Sequence, residues 1–138
     1  MNRAMGRVSL ALVIGIAVGM IGTQLWGAQH ERVKRTVLMT RDLDGLEGHE
    51  GRMYITEIAP ESATGKHHHP AHEFGYILEG FGIFTVEGHQ PITLQPGGIL
   101  HIGLRQPHNI ENISKTVPLR MLVVAFAEKG QPLVEPVK

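Results

Sequence analysis

Beyond residue 35 the apolar positions fall in short runs with almost no helical period. The runs are TVLM, RMYITEIA, FGYIL, FGIFTV, PITL, GILHIG, PHNI and VPLRMLVVAFA, rich in valine, isoleucine and aromatics. Between them lie DLDG, APESATG, EGFG, EGHQP, QPGG and ENISKTVP, whose glycine, proline, asparagine and aspartate favour turns. Short strands at this pitch predict an all-β sandwich or barrel. The closing EKGQPLVEPVK carries no such pattern and reads as an extended, mostly solvent-facing tail.

The first thirty residues follow a different pattern. Arg3 and Arg7 precede VSLALVIGIAVGMIG, an uncharged run from Val8 to Gly22 in which Ser9 alone is polar. A basic end, an apolar centre and small residues at Gly27 and Ala28 match a secretory signal cleaved near residue 28. Leu25 or Trp26 stands where a cleavage site wants a small side chain, and residues 8–26 approach the length that spans a bilayer, so a retained anchor is the alternative. Either way an N-terminal hydrophobic helix over 1–28 precedes one domain over 29–138. That domain is expected to be exported, to the periplasm or beyond, and to touch a membrane only through residues 8–26.

Composition narrows the class. The chain has 138 residues, 42% hydrophobic and 19% charged, which suits a single folded domain. Thirteen basic residues balance thirteen acidic ones, so no basic surface marks a nucleic-acid partner. There is no cysteine, so disulfides cannot contribute even where the compartment permits them.

The candidate chemistry sits in GKHHHPAHEFGYILEG, residues 65–80. Four of the nine histidines and one glutamate, Glu73, fall in the seven positions 67–73. Histidine richness alone marks opportunistic metal binding, so spacing must decide. On an extended chain His67 and His69 share a face and His68 points away. Pro70 then ends the ladder, because it has no N–H to donate.

These residues resemble the two motifs of the cupin superfamily. His67-x-His69, three residues, Glu73, six residues and Gly80 reproduce most of the first motif, with Gly65 near its upstream glycine. Gly97, His108 and Asn112 fall at the spacings of the second, while Gly103 stands where proline is usual and Arg105 where glycine is usual. The resemblance spans roughly residues 50–127. It implies a double-stranded β-helix (jelly-roll) barrel of the small single-domain type, holding one divalent metal on His67, His69, Glu73 and His108, with Glu73 a ligand or a base. Imidazole and carboxylate donors suit Fe, Mn, Ni, Co, Cu or Zn alike.

His68 and His72 read as solvated neighbours, and His30, His49 and His89 as surface residues. His101 has the parity of Ile99 and is expected either beside the cavity or in the core. Arg105 is either a rim contact for an anionic substrate or a solvated loop residue, and Asn112 supports the barrel through hydrogen bonds. Met53, Phe84, Met121 and Phe126 read as core or interface packing. The expected function is an exported metal-dependent enzyme, a dioxygenase-like oxidoreductase or an isomerase acting on a small oxygenated organic molecule. The alternative is a module that binds a metal or small ligand without turnover. A homodimer is expected from the resemblance.

Overall fold

The computed structural model describes residues 32–137. Its elements are ten strands: β1 (Val33–Asp42), β2 (His49–Ile58), β3 (His67–His68), β4 (Ala71–Glu79), β5 (Gly82–Val86), β6 (Ile92–Leu94), β7 (Ile99–Ile102), β8 (His108–Asn112), β9 (Leu119–Glu128) and β10 (Glu135–Pro136). They form two five-stranded antiparallel sheets, ordered β1-β2-β9-β4-β7 and β10-β3-β8-β5-β6. The all-β expectation is met. The N-terminal hydrophobic segment lies outside the described residues, among which no helix is long and apolar enough to cross a membrane.

Alternation along the longer inner strands sends one set of side chains between the sheets, whereas β1 is exposed from Thr36 onward. On β9 the inward set is Leu119, Met121, Val123, Ala125 and Ala127, and on β2 it is Arg52, Tyr54, Thr56 and Ile58. At the Ile58 end this face is apolar: Ile58, Ile77, Leu94 and Leu119 are almost fully buried, each worth about 1.5–3 kcal/mol of transfer free energy. Toward Arg52 the same face turns polar, and apolar burial is given up for a cavity. Phe84 and Met121 belong to the core, whereas Met53 and Phe126 point to the outer face.

Two backbone features hold the apolar end. Gly80, in the β4–β5 turn, has φ +85°, and a Cβ there would lie 2.4 Å from the Pro118 carbonyl oxygen, so only glycine fits. Asn112 Nδ2 donates to the carbonyls of Ile58 and Val117, both at 2.9 Å, and its Oδ1 accepts from Ser114 N at 2.9 Å. One buried amide thereby ties β8 to β2 and to the loop entering β9.

The tail is exposed to half-buried, in keeping with its composition, but it is tied to the barrel. Gln131 to Leu133 cross the polar end, and β10 then pairs with β3, Glu135 opposite His68 and Pro136 opposite His67. The outer face of the first sheet is apolar, with Phe74, Tyr76, Leu78, Ile99 and Phe126 exposed, and β1 leaves Val37, Leu38 and Met39 about half exposed at the sheet edge.

Candidate metal centre

Pro70 explains how one short tract reaches both sheets. His67 lies on β3 in direct register with His108 on β8. After His69 the proline breaks the ladder, and Ala71 opens β4 in the other sheet. Forty-one positions of sequence separate His67 from His108, yet their ring centroids are 4.3 Å apart.

Each of the three imidazoles gives its Nδ1 hydrogen to a backbone carbonyl. His67 Nδ1 donates to Gly65 O at 2.8 Å, His69 Nδ1 to Leu133 O at 2.5 Å, and His108 Nδ1 to Gln106 O at 2.9 Å. A carbonyl only accepts, so the Nδ1–H tautomer is fixed and each Nε2 presents a lone pair. The lone pairs converge. His67 Nε2 and His69 Nε2 are 3.1 Å apart, and the buried His108 Nε2 has no hydrogen-bond partner. One ring nitrogen from each histidine lies within 4.8 Å of the others.

Two lone pairs facing at that distance repel unless a cation sits between them. A proton is disfavoured, because burial above all, with neighbouring charges, depresses His67 and His69 to about 3 and also lowers His108. The chemistry of the donor set therefore fits a borderline metal ion, and the cluster can hold one. Its carbonyl partners are of the kind that orient metal-ligating imidazoles.

Glu73, on β4, is 2% exposed. Its Oε1 accepts a hydrogen bond from the Tyr54 hydroxyl and lies 3.3 Å from His69 Nδ1, on the side of the ring away from Nε2. The structure thus brings three histidines together, with Glu73 behind one of them. Burial raises its pKa to about 7, against the opposing influence of Tyr54, Arg35 and Arg52.

Other expected residues fall elsewhere. His101 is exposed on the outer face, stacked on His72 with centroids 5.8 Å apart and packed on Phe74 at 4.9 Å. Neither the cavity nor the core receives it, because Leu100 and Ile102 take the inward positions of β7. Arg105 is an exposed loop residue at φ +51°, which accounts for the glycine usual there. Its backbone N–H donates to His69 O at 2.8 Å, and its Nε lies 3.4 Å from Glu135. Asn112 does not line the cavity. His68 points away from the cluster toward Glu135, at 3.2 Å.

Four contributors escaped the sequence reading. Tyr54 and Arg52 share the inward parity of β2, and an inward strand face bearing Arg, Tyr and Thr was the available signal. Arg52 Nη2 donates to Gln131 O at 2.7 Å, and Arg52 pairs with Glu50 at 2.6 Å, which fastens the tail over the site. Arg35 lines the cavity from β1 with Nη2 3.5 Å from His67 Nε2. Leu133 acts through its carbonyl, for which side-chain patterns give no signal. The cavity is small, and its interior admits about a metal ion with one or two water-sized groups.

The sequence profile of the cupin domain matches residues 54–125, more than half of the chain. An uncharacterized protein of Methanocaldococcus jannaschii is 36% identical over 59 residues, 43% of this chain and 46% of that protein. Among solved structures, DMSP lyase DddQ from Ruegeria pomeroyi superposes with a TM-score of 0.62 at 23% identity, over 77% of this chain and 52% of the lyase. The polyketide cyclase RemF from Streptomyces resistomycificus gives 0.59 at 24% identity, over 78% and 72%, and a cupin-2 domain from Rhodospirillum rubrum gives 0.60 at 20%, over 78% and 66%. This chain spans about half the length of the lyase and less than half of the archaeal relative is matched. At these identities the structural likenesses establish the fold alone, two antiparallel sheets packed face to face. Together with the profile match, they lead to one conclusion: the chain belongs to the cupin family.

Proposed function

We propose that this chain is a metal-dependent enzyme acting on a small oxygenated organic molecule, with one divalent transition metal held by His67, His69 and His108. The observation that carries the reading is the convergence of three Nε2 lone pairs whose tautomers are pinned from behind. A metal bound there supplies Lewis acidity to an oxygen of the ligand. Glu73 lines the same cavity behind His69, and in this proposal its carboxyl turns toward the ligand to take or return a proton, or to add a fourth donor. Tyr54 holds the carboxyl in place through its hydroxyl. A carboxyl whose pKa is about 7 is suited to proton transfer at neutral pH. Proton abstraction favours lyase, cyclase or isomerase chemistry over oxygen insertion, and the similar structures include a DMSP lyase and a polyketide cyclase. A dioxygenase-like oxidation remains the other enzymatic arm of the proposal.

The narrow interior supports a second reading, capture of a metal with a small ligand and no turnover. Elemental analysis of the purified protein, followed by oxygen-uptake and proton-exchange assays on the metal-loaded form, separates the two. Absence of stoichiometric metal in wild type, coupled with failure to take up Co(II), overturns both. Export is part of the proposal and rests on residues 1–28; cell fractionation tests it. So is a homodimer, which the apolar outer face and the exposed edge of β1 support; light scattering on the purified protein tests it.

A further inference from the structure

Arg35 is the anomalous charge in the cavity. It lies on β1 in register with Thr56 of β2, and its parity with the buried Val33 turns the guanidinium inward. Burial depresses its pKa, while Tyr54 and Glu73 only partly compensate. Among the described residues the ion pairs of the arginines involve Arg52, Arg105 and Arg120, and Arg35 is in none of them. Its one polar side-chain contact there is Nη2 to His67 Nε2, at 3.5 Å, the same lone pair that faces the cluster. A largely buried cation without a counter-ion is costly. A metal on the three histidines places a second positive centre beside it, and the two repel unless an anion lies between them.

We infer that Arg35 and the histidine-held metal together form a carboxylate-binding site, so that the ligand is a small carboxylic acid whose anionic group enters the cavity and whose remainder points outward. This deepens the proposed function and rests on it for the metal. The guanidinium supplies the second half of the recognition, since its planar fork matches the two oxygens of a carboxylate. The confined interior excludes bulk at the anionic end.

The test uses acetate and its neutral isostere acetamide, titrated into metal-free and Co(II)-loaded protein in chloride-free buffer and followed by calorimetry or ligand NMR. Acetate is expected to bind at least tenfold more tightly than acetamide in both forms. Arg35→Met, which keeps the length of the side chain, should weaken acetate at least tenfold and leave acetamide unchanged. Arg35→Lys should fall between, since one point charge replaces the fork. Co(II) affinity in Arg35→Met should be equal or higher, because a repelling cation is removed; mere loss of packing would lower it. Equal binding of acetate and acetamide by the wild type, or full acetate affinity in Arg35→Met, overturns the inference. If wild type takes up no Co(II), the metal reading fails separately, and Arg35-dependent acetate binding by the metal-free protein still decides the anion site.

Discussion

Acidifying the metal-free protein from pH 6.5 to 5.5 should destabilise it, and replacing Glu73 by glutamine should make the loss steeper. In the unfolded chain an imidazole with a pKa near 6.5 carries about nine-tenths of a proton at pH 5.5. The folded His67 and His69, depressed to about 3, carry almost none. Unfolding therefore takes up protons, and the stability these groups contribute is present above the unfolded pKa and lost as pH falls below it. Glu73 works in the opposite sense. Its folded pKa of about 7 lies above its unfolded value, so its contribution is full below about 4.5 and lost as pH rises through 7. At pH 5.5 it offsets about one proton of the nearly two taken up by the histidines. The net slope is about 1.3 kcal/mol per pH unit, with His108 adding in the same direction. In Glu73→Gln the offset disappears and the slope rises to about 2.5 kcal/mol per unit. Urea titrations at three or four pH values, in the presence of a chelator, measure both slopes. A wild-type stability that is flat from pH 6.5 to 5.5 would mean that the imidazoles protonate freely and the neutral triad is not built into the fold. Equal slopes in wild type and Glu73→Gln would mean that Glu73 is ionised when buried.

His108→Ala should lower Co(II) affinity by more than tenfold, whereas His68→Ala, which removes a ring turned toward Glu135, should change it less than threefold; equal losses in a calorimetric titration would return HHHPAH to the status of a surface chelator. Deleting residues 131–138 removes the Leu133 carbonyl that orients His69 and should weaken Co(II) about 10- to 100-fold, while circular dichroism retains its β signature. Retention of full affinity by the truncated protein would show that the tail does not act on the metal site. Tyr54→Phe leaves Glu73 without its hydroxyl donor and should cost about 1–2 kcal/mol of stability by urea denaturation, and unchanged stability would contradict the Tyr54–Glu73 bond. Arg105→Gly relieves a left-handed non-glycine backbone worth about 1 kcal/mol and loses only an exposed ion pair, so the melting temperature should rise by a few degrees; a fall would assign Arg105 a role beyond the loop.

Every apolar run from TVLM to VPLRMLVVAFA became a strand, most of them because a strand with one buried face must write that face into its sequence. TVLM, on the edge strand β1, is exposed and reads as a strand through its β-branched residues. The two strands without such a run, β3 and β10, are two residues each, too short for a period to exist. That is why the tail looked free: its attachment depends on Arg52 and on backbone carbonyls. His67, His69 and His108 were legible from spacing and parity. His101 was misplaced because parity is relative, and Leu100 and Ile102 claimed the inward side of β7. Arg35 and Tyr54 were invisible for a related reason, since the sequence does not say which inward positions of β1 and β2 meet apolar core and which meet the cavity.

The bond between Asn112 and the Ile58 carbonyl has a counterpart at the opposite end of the barrel, and the two behave differently as fasteners. At the Asn112 end donors and acceptors are matched within the chain, so closure there is unconditional. At the histidine end Arg52 and the β3–β10 pairing hold the tail, but the three lone pairs inside push each other apart until a cation arrives. With a metal bound there as proposed, the strength of that end would depend in part on the surroundings: each tenfold rise of free metal above Kd would add about 1.4 kcal/mol to the folded state. If the proposed metal binds, a compartment starved of it would hold the same chain in a looser form, more open to proteolysis at the β3–β10 edge, and its abundance would follow the supply of the ion.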